Sequence, residues 1–573
     1  MKIARSMQIA PVILLIAILA MPSVFLRASA AESYPTSRPG CEDNSVTCTE
    51  VLNPLGYYTG HDEPSLLFYS SVPGSGNSNT YLLRLPMDPS TLPTQDGTGG
   101  TFNFQLHPAF WFGMALCDSQ SAPNPGLPCT PDSDSNIFDN ANPAAADYIG
   151  NHPGTAFMEM QFYPPGWVLW PPGNSCDPLK WCAALNIDSF SENQNTGQVL
   201  NAACQGIVGI EYVNFAFITL NGVPHPDPAL KGAPAPANPV QSDTATFTPD
   251  PAHDLFMNSG DVLKVRMFDT PQGFRVVIND LTAGLNGSMT AGAASGFGQV
   301  RFAPQGSSCK NLPYDFHPMY STSSEHTRVP WAAHSYNIAF SDEIGHFEYC
   351  NQANTSAFPF PCTVDGVHDL DQRQPNPEDD YFCFNPTDSS RIQIGGCLNT
   401  DGDFDGPEYQ LTWPGTFQSP GADKSVHPEP ILFTSPVFTA TGSTSNLNYQ
   451  RVAFEADMPR IEDHTIPPCQ RHVLNPSDPN PGLGCVNPPV GTAFYPIYTT
   501  GTGTGQILGG LCVWQLGGTF LPGTTNSFGG SSATEFGTTP LGLNYPTSPP
   551  GTPQTILEDF RNIQSSNPCP APA

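Results

Sequence analysis

The sequence predicts an all-β protein, a sheet sandwich with long disulfide-bridged loops and few short helices, and three observations predict it. Short runs rich in Val, Ile, Phe, Tyr and Thr recur between clusters of Gly, Pro, Asn and Asp, whereas sustained helical periodicity is missing. Gly and Pro together supply 116 of the 573 residues (52 and 64), so turns and loops take up much of the chain. Hydrophobic residues still make up 39%, with 35 Phe among them, which is enough for a sizeable core and unlike a disordered chain.

From the amino terminus, Lys2 and Arg5 precede an apolar run from Ile9 to Phe25, and Ala28-Ser29-Ala30 has the small side chains of a cleavage site. Residues 1–30 are therefore expected to be a secretory signal peptide, removed on export. Pro11 and Pro22 interrupt the run below the roughly 20 residues that span a bilayer, and no later segment is more apolar, so no membrane span is expected in the mature chain. Residues 31–105 read as an irregular arm with one or two strands, and 106–350 carry the densest strand pattern and are expected to form the sandwich core. Between 351 and 430 the composition shifts to Asp, Pro and Cys, which predicts a bridged loop region or insertion. Residues 431–573 return to strands, either as a second domain or as the completion of the first sheets.

Within these blocks the clearest hairpin runs from Asp261 to Asp280, with the turn Asp269-Thr-Pro-Gln-Gly273 between two alternating runs and Gly273 free to take a positive φ. Further strands are expected over 156–163, 183–187, 210–220, 335–340, 450–456 and 510–515. All 16 cysteines, Cys41 to Cys569, follow the signal segment, and their even number suits an oxidising compartment. Cys41/Cys48, Cys117/Cys129, Cys176/Cys182 and Cys350/Cys362 are spaced to close short loops, although spacing does not settle connectivity. Structural zinc, the rival use of cysteine, lacks a Cys-x-x-Cys pair.

Removing the signal leaves 17 basic against 51 acidic residues, a formal charge of 17 − 51 = −34. A field of that sign repels nucleic acid and anionic membrane surfaces and favours cations. The sharpest cation motif is Asn399-Thr-Asp401-Gly-Asp403-Phe-Asp405-Gly406-Pro-Glu408. Asp401, Asp403, Asp405 and Glu408 offer oxygens at the close spacing a hard cation such as calcium requires, although Thr412 stands where an EF-hand has its bidentate Glu. Asp132 and Asp134, with Asn136 and Asp139 beside them, repeat the spacing without the glycine. An ordinary acidic turn explains either loop as well.

Paired carboxylates are the machinery of glycoside cleavage. Period-two alternation in Phe157-Met158-Glu159-Met160-Gln161-Phe162 puts the methionines and Phe162 on one face and Glu159 with Gln161 on the other, near Tyr163, Trp167 and Trp170. In Glu343-Ile-Gly-His346-Phe-Glu348-Tyr-Cys350, His346 and Glu348 share a face if the segment is extended, as an acid/base pair or as two metal ligands awaiting a third such as His317 or His334. Glu159, Glu348 and His346 are thus the candidate catalytic residues, and Trp167, Trp170, Tyr163 and Gln161 a candidate sugar-stacking and hydrogen-bonding set for an extracellular polysaccharide. Trp111, Trp181 and Trp413 are further aromatic candidates, with core packing the alternative for each. No Gly-x-Ser-x-Gly elbow, His-Glu-x-x-His helix, phosphate loop or dinucleotide fingerprint is present.

The stretches from Trp111 to Ser121, Ala156 to Trp167 and Asp403 to Tyr409 resemble a group of large secreted microbial proteins, a resemblance that spans most of the chain and brings no reaction with it. More loosely, the Gly273 hairpin and the Glu159 strand resemble parts of a concanavalin A-like jelly roll, the fold of legume-type lectins and several glucanases. That resemblance implies a jelly-roll-like β-sandwich. The glucanase signature Glu-x-Asp-x-x-Glu is missing, so it implies the fold without the hydrolysis. Function is expected to be carbohydrate engagement, by cleavage or as a non-catalytic binding or matrix protein.

Overall fold

The structure, a computed structural model, describes residues 65–87, 109–122, 124–130, 135–138, 142, 144–148, 151–163, 177, 179–190, 192–193, 198–208, 211–243, 245–319, 327–334, 350–353, 362–365, 431–440, 442–457, 498–502, 508, 510–516, 541–545, 554–564 and 566–569. Of these residues 44% are strand and 7% helix, so the all-β expectation holds. The described helical segments are one seven-residue helix, Ala202–Val208, and short 3-10 turns.

Two antiparallel sheets dominate. The ten-stranded sheet runs in the order Met257–Asn258, Lys180–Phe190, Thr155–Tyr163, Ala109–Cys117, Thr327–His334, Ser65–Ser70, Arg451–Asp457, Gln554–Gln564, Leu541–Tyr545, with Glu211–Phe217 also paired to Lys180–Phe190. The nine-stranded sheet runs Leu285–Ala291, Phe274–Asp280, Val262–Phe268, Ser78–Arg84, Ile431–Phe433, Cys512–Leu516, Tyr498–Thr502, with Val437–Thr439 also paired to Ser78–Arg84 and Asn446–Asn448 paired to Val437–Thr439. Each sheet thus takes one interior strand from residues 65–84 and others from beyond 431. The expected 335–340 strand lies outside the described residues, and the strand seen here is Thr327–His334.

One apolar cluster joins the sheets. Phe110, Phe112, Met158, Met160, Phe162 and Leu185 of the larger sheet meet Tyr81, Leu83, Val265, Val276 and Phe433 of the smaller. Tyr81 stacks on Phe112 at 3.8 Å between centroids and Trp331 on Phe433 at 4.2 Å. Such aromatic packing between inward faces is how a sandwich removes surface from water. The Asp261 to Asp280 hairpin forms as expected, Val265 opposite Ile278. Gly273 closes it at φ 106, where a Cβ would stand 2.3 Å from the Ala291 carbonyl oxygen, so only glycine fits.

Disulfides tie segments distant in sequence, the Cys569 sulfur lying in the apolar cluster itself. Cys117–Cys129 is one of the short-loop pairs read from spacing, while Cys204–Cys309 joins residues 105 apart and Cys512–Cys569 residues 57 apart. Cys182 is also bridged.

Candidate functional site

The alternation read in the sequence positions the first candidate. Met158, Met160 and Phe162 enter the core, and Glu159, Gln161 and Tyr163 point from the opposite, outer face of the ten-stranded sheet. That polar face is covered: Glu159 is 1% exposed, Gln161 2% and Tyr163 3%. Sequence period tells which side chains share a face, while the cover comes from elsewhere in the fold. The three form a chain: the Tyr163 hydroxyl donates to Gln161 Oε1, and Gln161 Nε2 donates to Glu159 Oε2 at 2.5 Å.

The neighbouring strand extends this row. Register pairs Glu159 with Asn186 and Phe157 with Asp188, so Asn186 and Asp188 lie on the same outer face. Both are buried, Asn186 at 0% and Asp188 at 4%. Glu159 and Asp188 are diagonal neighbours on adjacent antiparallel strands, which by sheet geometry sets their backbones about 7–8 Å apart. Burial pushes the Tyr163 phenol far above its ordinary value; the Asn186 amide leans the other way, and the Glu159 and Asp188 carboxylates add to the rise. Tyr163 therefore stays a donor. Asn186 reaches the phenol, yet neither of its amide atoms completes a well-formed hydrogen bond. A fully buried amide in that condition costs about 1–3 kcal/mol.

Gly113 sits opposite Glu159 on the third strand. A Cβ there would come within 2.5 Å of the Trp111 ring and 2.6 Å of the Phe157 ring, so the glycine lets these rings meet edge to face, 5.4 Å between centroids, beside the carboxylate. Chemically, the row combines two carboxylates, two amides and a phenol, the side chains that hydrogen-bond polyols. The signal that could have found Asp188 was present: Ala183-Ala-Leu-Asn-Ile-Asp188 alternates as cleanly as the Glu159 strand.

A second constellation carries no local sequence signal. Asp118 is fully buried where four segments converge. Its carboxylate accepts from Gln120 N at 2.9 Å, Ser189 Oγ at 3.0 Å, Tyr212 Oη at 3.3 Å and Gln299 Nε2 at 2.7 Å. Burial outweighs these four donors and raises its pKa from 3.8 to about 6.

His225 and Asp254 form a third buried pair. His225 Nδ1 lies 3.0 Å from both carboxylate oxygens and Nε2 2.9 Å from the Ala245 carbonyl oxygen. Both ring nitrogens face acceptors, so the ring is held as the imidazolium. Burial opposes that charge, but the Asp254 bond and charge and the Ala245 carbonyl outweigh it, and the His225 pKa is raised. Asp254 is raised too, because burial of its carboxyl exceeds the help His225 gives. With Nε2 spent on a carbonyl, His225 pins the 225–250 segment to the sheet, stacked against Phe217, and is not free for proton transfer.

Several candidates from the sequence lie outside the described residues: Glu348, His346, Trp167, Trp170, Trp413, Asp401, Asp403, Asp405, Glu408, Asp132, Asp134 and Asp139. Asn136 is buried and spends its amide on Thr130, accepting from the backbone N at 2.8 Å and donating to the carbonyl at 3.0 Å. His317 Nδ1 bonds Asp269 at 2.8 Å. Trp111 and Trp181 are buried rather than displayed, Trp181 in the core between the sheets. Among the described residues no group of three or more His, Cys, Asp or Glu converges on a metal position, and no helix is long and apolar enough to cross a membrane. An open cleft of about 580 Å³ beside Pro224, Pro236, Asn238, Asp243 and Ser295 has neither aromatic ring nor carboxylate pair and does not communicate with the Glu159 row. Compared with family profiles, curated proteins and solved structures, the chain gives no significant match.

Proposed function

We propose that the chain is exported and engages carbohydrate outside the cell through the outer face of its ten-stranded sheet, with Glu159, Gln161, Asn186 and Asp188 as the polar recognition row. The observation that carries this reading is the Asn186 amide, fully buried and without a completed hydrogen bond, between two carboxylates. A sugar hydroxyl both donates and accepts, and would complete it. Two carboxyl groups on adjacent strands of one face are also the residue types that cleave a glycosidic bond, so hydrolysis is the finer form of the proposal. Because Glu159 is 1% exposed and Asn186 0%, either form requires the cover over this face to open before a sugar reaches the row, and the alternative is a non-catalytic matrix protein. A concanavalin A-like arrangement of the sandwich, a cleaved signal at 1–30, and calcium at Asp401, Asp403, Asp405 and Glu408 belong to the same proposal.

A glycan array combined with reducing-sugar release on cell-wall polysaccharides tests it. Release that disappears in both Glu159→Gln and Asp188→Asn supports hydrolysis. Array binding without release, weakened by Asn186→Ala, supports the binding form. Wild-type protein that binds nothing and releases nothing sinks both. Equilibrium dialysis against calcium checks the metal, and absence of binding removes it.

A further inference from the structure

We propose that the outer face of the nine-stranded sheet is a second docking surface, for a linear polyanionic polysaccharide of the uronic-acid class, through a diagonal strip formed by Arg84, Lys264, Arg266 and Arg275. This surface is on the opposite side of the sandwich from the Glu159 row and does not depend on that reading.

The register builds the strip. Arg84 pairs with Val262, Lys264 and Arg266 follow at two-residue steps on the Val262–Phe268 strand, and Arg275 pairs with Phe268 on the next strand. Successive cations thus occupy successive outward rows, 262, 264, 266 and 268, crossing three strands. At about 3.4 Å per residue the strip is about 20 Å long with a positive charge roughly every 7 Å. Burial alternates along these strands so that Leu263, Val265 and Met267 fill the core while Lys264 and Arg266 are exposed.

Charge makes the strip informative. The chain has 51 acidic residues against 20 basic ones, yet no Asp or Glu faces outward from Ser78–Arg84, Val262–Phe268, Phe274–Asp280 or Leu285–Ala291, Asp280 being turned inward. Among the described residues, Lys264, Arg266 and Arg275 have no carboxylate partner. Arg266 lies over the Phe268 ring at 5.1 Å, and Arg275 Nη2 donates to Ser288 Oγ at 3.0 Å, so both guanidinium groups are steadied while their charge stays uncompensated. In so acidic a protein, Lys264, Arg266 and Arg275, kept clear of the described acids, fit an external anion.

Of the neighbouring outward side chains, Thr80, Asn279 and Thr290 offer hydroxyl and amide groups suited to sugar hydroxyls, while at the Arg84 end Leu82 and Val262 pack against Leu432, Leu508 and Val513. A net charge of −31 opposes a polymer as densely charged as nucleic acid. That long-range field is screened beyond about 8 Å at physiological salt. A polymer with one carboxylate per sugar, spread along a flat sheet, meets both conditions.

The test uses the full chain and immobilised polygalacturonate, with neutral glucan, poly-glutamate and phosphatidylserine vesicles as comparison arms. Wild type is expected to bind polygalacturonate, with affinity falling as salt rises from about 50 to about 300 mM. The triple variant Lys264→Glu, Arg266→Glu, Arg275→Glu is expected to lose at least about tenfold, the sum of several exposed charge contacts. The corresponding triple change to Gln is expected to lose less but in the same direction, which guards against misfolding of the first. Lys180→Glu, Arg301→Glu, Lys310→Glu, a charge-matched change at exposed positions elsewhere, is expected to stay within about twofold. Absence of wild-type binding, equal losses in strip and control variants, or tighter binding to poly-glutamate or vesicles than to polygalacturonate would overturn the proposal.

Discussion

Asp118 makes the stability of the protein depend on pH in a way that one substitution isolates. Its carboxyl titrates at about 6 in the folded chain against 3.8 when exposed, chiefly because it is buried, with four hydrogen-bond donors pulling the other way. A carboxyl raised on folding holds its proton more tightly in the native state. Its contribution is therefore most favourable below pH 3.8 and is lost as pH rises to about 6. A difference of roughly 2 units, at about 1.36 kcal/mol each, amounts to about 3 kcal/mol. Asp118→Asn cannot ionise and lacks this loss, whatever its own stability. Other titrating groups act equally on both proteins, so the difference between two urea-unfolding series isolates Asp118. The wild type is expected to lose about 3 kcal/mol relative to the variant between about pH 4 and about pH 7. A difference that stays flat, or that moves in favour of the wild type as pH rises, refutes the reasoning.

Three further outcomes follow from the same structure. His225→Asn removes the cation buried against Asp254 and is expected to destabilise by about 3–5 kcal/mol at pH 6, measured by denaturant unfolding; because the His225 pKa is raised, the wild-type advantage is full below about 6.5 and shrinks as pH rises through the folded value. Gly113→Ala drives a methyl into the Trp111 and Phe157 rings and is expected to cost about 1–3 kcal/mol, read as a lowered thermal midpoint. Serine at both Cys204 and Cys309 opens a link between residues 105 apart and is expected to cost about 2–5 kcal/mol in unfolding experiments under oxidising conditions.

The legible parts of the fold were those governed by local physics. Alternation over Phe157 to Phe162 assigned the inward and outward side chains, and the structure keeps that assignment. The turn at Gly273 was legible because only glycine tolerates its backbone angle and the closeness of Ala291. By the same alternation Asp188 and Asn186 stood in plain view, and went unread because a mixed strand between Trp181 and Phe190 shows no paired-acid motif. The Asp118 cluster was not legible at all. Its donors come from positions 120, 189, 212 and 299, and no spacing rule connects them.

Composition and period by themselves determined that this chain makes antiparallel sheets tied by disulfides and which side chains share a face, because those properties depend on neighbours two residues away and on the chemistry of glycine, proline and cysteine. Only the tertiary structure decided which face is roofed, and so that Glu159 is enclosed while Lys264 and Arg266 stand in water. Register between strands far apart in sequence also decided that Arg84, Lys264, Arg266 and Arg275 fall into one line, since hydrogen bonding between strands, not distance along the chain, sets which side chains become neighbours.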